Sequence, residues 1–156
     1  MKRVAAVTSV LLAVLMVPAF FVAVRYRGEA ERRHEACLKD AIFCMQRVTR
    51  AAGEAEEYDD VLKVAETLKA EAVRLRELQA EFQGFPEPSR WERSRMRKHR
   101  QLAESAVEAW AEVEKDFRER INEGLPPHVR LQLTEALDDF AAARADAWAV
   151  MTPYLD

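Results

Sequence analysis

Residues 84–89 read Gly84-Phe85-Pro86-Glu87-Pro88-Ser89, and the same order of glycine, apolar residue and proline returns at Gly124-Leu125-Pro126-Pro127. Glycine suits a left-handed residue just past a helix end. The apolar residue after it folds back onto the helix, and proline stops continuation. The two stretches therefore predict helix ends near Gln83 and Glu123. New helices are expected after Pro88-Ser89, with Ser89 as N-cap, and after Pro126-Pro127, because proline fits a first helical turn.

Outward from these breaks, apolar residues recur at helical spacing. Before Gln83 the stripe is Leu62, Ala65, Leu68, Ala72, Leu75, Leu78 and Phe82; upstream lie Cys37, Ala41, Cys44, Val48 and Ala51. After Ser89 it is Leu102, Ala106, Trp110, Val113, Phe117 and Ile121, and after Pro127 it is Leu133, Leu137, Phe140, Trp148 and Met151. Short connections make successive helices antiparallel. Ala, Glu, Lys, Leu and Arg make up about half of the chain, a composition of long helices or coiled coils. No alternating run of β-branched and aromatic residues suggests a strand.

Residues 29–83 admit two readings. They form one helix of about 80 Å, or they break at Gly53 with Asp59 or Asp60 capping a new helix. Glycine without proline is a weak breaker, so one long helix, bent near Gly53, is the expectation.

At the other end of the chain, Val4 to Val24 carries no charge: VAAVTSVLLAVLMVPAFFVAV. A bilayer core of about 30 Å needs roughly 20 such residues. Pro18 would kink such a span without forbidding it. The rival reading is a signal peptide with a basic Lys2-Arg3 start and a small-residue cleavage site ending at Ala19. Against cleavage, Phe20 to Val24 prolongs the apolar run. The fold class expected is thus all-α, with a membrane anchor over residues 1–24, a juxtamembrane helical stalk over 25–56, and a helical-hairpin bundle over 57–156. The bundle has three long helices, or four if the chain breaks near Gly53. Arg25, Arg27, Arg32, Arg33 and Lys39, just past the span, favour the cytoplasmic side. The signal-like start favours the other, and an extracytoplasmic domain on a single-pass cell-membrane protein is the expectation.

Net charge is −3, and without Lys2 and Arg3 the rest of the chain is near −5. This does not suit nucleic acid, which wants a basic surface. No glycine-rich phosphate loop, HExxH or nucleophile elbow occurs, and His34, His99 and His128 are scattered. No catalytic, metal or cofactor residues are assigned.

Three local features stand out. Cys37 and Cys44 are about 10.5 Å apart along a continuous helix, too far for a bond within it. They are candidates for a disulfide between two copies, or else small core residues. Arg90, Arg93, Arg95, Arg97, Lys98 and Arg100 form a candidate basic interaction patch, with Trp91, Met96 and His99 interleaved and only Glu92 opposing. In the first turns of a helix, such cations oppose the macrodipole. As a solvated face they would pair with Glu71, Glu77 and Glu81 across the hairpin. Glu54, Glu56, Glu57, Asp59 and Asp60 lack the alternation of a calcium loop and read as a solvated bend.

The function expected is that of a non-enzymatic, membrane-tethered scaffold or interaction protein. Its partners would be the bilayer, through residues 4–24, and another protein or a second copy along the stripe from Cys37 to Ala51. Two alternatives stand beside it. One is a sensor or carrier of a small ligand or metal, with a pocket near Trp110 and Trp148 or at His34–Cys37. The other is a secreted helical protein.

Overall fold

The computed structural model describes residues 2–55, 58–85, 87, 89–122 and 125–155, leaving aside the side chains of 2–19, 58–59 and 121–122. The elements are α1 (Lys2–Gly53), α2 (Tyr58–Gln83), α3 (Arg90–Met96), a 3₁₀ turn (Arg97–His99), α4 (Arg100–Asn122), α5 (Pro127–Met151) and a last 3₁₀ turn (Thr152–Tyr154). Among the described residues there is no strand. Contacts divide the chain into two units, Met1–His34 and Glu35–Asp156.

In the first unit the described residues are helical. Phe20, Phe21, Val22, Val24 and Tyr26 are exposed. Arg25 and Glu29 pair one turn apart at 3.8 Å. Among the described residues no helix is long and apolar enough to cross a membrane. Residues 4–19 of the expected span lie outside the described side chains.

The second unit is a bundle of α1 from Glu35 onward, α2, α4 and α5. Ion pairs give the directions. Asp40 pairs with Arg74, and Arg47 with Glu71, so α1 and α2 run antiparallel. The pair Arg76–Asp139 and the edge-to-face rings of Phe82 and Tyr154 set α2 parallel to α5. In the middle, Trp110 of α4 stands edge-on to Phe140 of α5, with ring centres 5.0 Å apart. This is the geometry in which aromatic pairs gain most beyond burial.

The single helix expected over residues 29–83 is two. It ends at Gly53, and the chain turns back through Glu54 and Ala55. Five acids in seven residues would repel one another at i, i+3 and i+4 spacings in an unbroken helix. At the start of α2, acids instead face the favourable end of the dipole. Arg120 of α4 donates to the Ala55 carbonyl at 3.2 Å, which satisfies an acceptor left by the break. Lys63 pairs with Asp60 at 2.9 Å, and Glu54 is exposed. Glu56 and Glu57 lie outside the described residues.

The stretch expected as a stalk, residues 25–56, divides. From Glu35 to Ala55 it belongs to the bundle unit. Beside Cys37, Ala41, Cys44 and Val48, this part of α1 also buries Leu38, Ile42, Met45 and Ala52. A stripe that wide faces a core rather than a single seam.

The helix ends fall where the Gly-apolar-Pro stretches predict. α2 stops at Gln83, and α5 begins at Pro127, whose ring fits the first turn. The geometry at Gly84 differs from the expectation. Its φ is not left-handed, and its N–H is shared between the carbonyls of Ala80 (3.3 Å) and Glu81 (3.1 Å). The last turn simply tightens. Phe85 does fold back, its ring 6.0 Å from that of Phe82. Gly124 lies outside the described residues. Leu102, expected in the core, is 45% exposed, and Ala103 takes the inner place.

Candidate interaction surface around Glu35

Ser89 accepts a hydrogen bond from the Glu92 N–H at 3.2 Å, and the Glu92 carboxylate accepts one from the Ser89 N–H at 3.3 Å. This reciprocal capping box fixes the start of α3. It also resolves the misfit of the six cations. They do not crowd the first turns of one helix, because a short helix of seven residues ends at Met96 and a 3₁₀ turn follows. Arg93 and Arg95 occupy the last turn of α3, the end at which a helix favours positive charge, and Arg97 and Lys98 follow it.

The anchor of this segment is Glu35, the first residue of the bundle unit and only 8% exposed. Its Oε1 lies 3.0 Å from Lys39 Nζ, 3.0 Å from Lys98 Nζ and 3.1 Å from His99 Nε2. Arg95 Nη2 donates to Oε2 at 3.1 Å. Hydrogen bonds from Lys39, then His99 and Lys98, hold the carboxyl far below the usual range and outweigh the opposite pull of burial. A buried carboxylate is tolerated only when so paired.

The expected pairing of the patch with Glu71, Glu77 and Glu81 is not what forms. Glu71 is taken by Arg47, at 2.6 and 2.7 Å in a two-pronged contact. Glu77 accepts from Arg74 at 3.0 Å, and Glu81 raises the Cys37 thiol. Of the six predicted patch residues, Arg95 and Lys98 meet at Glu35, Arg100 pairs with Glu104 at 2.7 Å, and Arg90, Arg93 and Arg97 are exposed. Beside them Trp91 is 84% exposed. Sequence reasoning missed Glu35 and Lys39. The available signal was a carboxylate at a core-facing position, three residues before Leu38 and seven before Ile42.

Cys37 and Cys44 are both free thiols in the core. Burial pushes each up to about 12, helped at Cys37 by Glu81 and at Cys44 by Glu71. Their stripe, with Ala41 and Val48, is buried in the core of the chain's own bundle. Both tryptophans expected to line a pocket lie in the core region of the bundle. Trp110 is fully buried, and Trp148 packs against the core. His34 is buried, and burial lowers its pKa. Among the described residues no group of three His, Cys, Asp or Glu side chains is placed to hold a metal ion.

Comparisons of the chain with protein-family models, with curated proteins and with solved structures found no match.

Proposed function

We propose that this chain is a membrane-tethered helical interaction protein without enzymatic activity. A single-pass N-terminal helix would hold the four-helix bundle at a bilayer, and the bundle would present its surface to partners. One observation carries the reading. Phe20, Phe21, Val22 and Val24 end an uncharged run that begins at Val4, and they are exposed by 68, 68, 67 and 53%. Successive helical positions are about 100° apart, so these four point around much of the circumference. A groove on one partner covers one face of a helix, whereas lipid covers all faces.

The test is fractionation of cells making the full chain and a chain lacking residues 1–24. The full chain is expected in the membrane fraction after high-salt and alkaline carbonate washes. The shortened chain is expected in the soluble fraction with its helical circular dichroism retained. Release of the full chain by carbonate would overturn the tether.

A further inference from the structure

We propose that the basic segment from Arg90 to Arg100, with Trp91 at its exposed face, rests on anionic lipid headgroups of the membrane that holds the N-terminal run. This inference depends on the tether proposed above.

The charge comes first. Six cations stand within eleven residues. With Glu35, Glu87, Glu92 and Glu104 set against the six cations and Lys39, these residues together carry +3. The rest of the chain is acidic, so this excess is local. It is matched by an anionic lipid surface, which attracts basic segments lying within a Debye length.

The apolar component comes second. Trp91 is more exposed than any other large hydrophobic residue described. A tryptophan with cations beside it is the composition enriched at the water–membrane boundary, where the ring lies at headgroup level. Arg90, Trp91, Arg93 and Leu102 are all exposed. That mixture of apolar and cationic groups suits a headgroup layer better than a purely acidic protein surface.

Reach comes third. Arg95 and Lys98 are fastened to Glu35, and Glu35 follows Val24 by eleven residues. Fully extended, eleven residues span at most about 40 Å. A connection of that length lets the basic segment reach the bilayer surface. A tether of that length raises the local concentration of lipid so far that a weak patch suffices.

The experiment reconstitutes the full chain in vesicles of phosphatidylcholine alone and of phosphatidylcholine with 30% phosphatidylglycerol. It reads quenching of tryptophan emission by lipids brominated near the headgroup, together with carbonate-resistant pelleting. The expected result is quenching in the anionic vesicles that Trp91→Phe abolishes. The double variant Arg90→Gln/Arg93→Gln should weaken the contact about fivefold per cation while leaving circular dichroism unchanged. Neither arginine contacts Glu35, so the bundle stays intact. Equal quenching in both compositions, or quenching that survives Trp91→Phe, overturns the docking. So does shielding of Trp91 by polyglutamate but not by anionic vesicles, which assigns the patch to an acidic protein. Loss of carbonate-resistant pelleting with Trp91 quenching retained overturns the tether alone; the reverse pattern overturns the docking alone.

Discussion

Glu35 is a carboxylate at a core-facing position of α1, and its chemistry joins α1 to the basic segment. Its folded pKa is depressed, so the stabilisation it supplies is complete above the unfolded value of about 4.3. That stabilisation is lost as pH falls through the folded value. Glu35→Gln should therefore lower stability at pH 7 by about 1–2 kcal/mol, since its partners are half exposed. The variant should also flatten the fall in urea midpoint between pH 5 and pH 3. A variant with the parent's acid profile would remove Glu35 from this role. The thiols behave oppositely. Their folded pKa values are raised to about 12, so the fold loses stability as pH climbs from the ordinary thiol range, about 8.5, toward the folded value. At pH 8 a maleimide should label neither Cys37 nor Cys44 until urea opens the core, and non-reducing gels should show monomer. Rapid native labelling, or a reductant-sensitive dimer, would contradict their burial and revive the disulfide between copies. The spacing of the cysteines allowed both outcomes. Only the covering helices distinguish them.

At the scale of elements, what was legible in the sequence was local. Ser89 reads as an N-cap because capping depends on residues three apart, and Ser89→Ala should cost about 1 kcal/mol. Gln83 and Pro127 mark helix ends for the same reason. The break at Gly53 was harder to read because no proline marks it. Gly53 has no left-handed φ, and a side chain there would meet nothing within 4 Å. Gly53→Ala should thus leave the bundle intact and raise its stability by up to about 1 kcal/mol. A large loss in a thermal melt would show that glycine itself makes the break. The bend is stabilised across space by Arg120 on the Ala55 carbonyl, a contact that sequence proximity does not announce. The basic run depends on distant residues in the same way. Its cations were visible, but the short α3 that seats them and the distant Glu35 that gathers them were not.

For the whole molecule, the periodic stripes located most of the core, including Trp110, Phe140, Leu133 and Leu137. They understated α1, where Leu38, Ile42 and Met45 widen the buried face and turn an expected stalk into a fourth bundle helix. Trp110→Ala should remove about 3–5 kcal/mol of stability by opening a cavity against Phe140, measured by chemical denaturation. A smaller loss would mean that the centre of the bundle collapses around the gap. The tether depends on what residues 4–24 do. The measurement that tests this most directly is the intact mass of the chain recovered from carbonate-washed membranes. The expected mass retains residues 4–24 and is found in the pellet. A mass corresponding to cleavage after Ala19, found in the soluble fraction, would contradict the tether and point to a secreted helical protein.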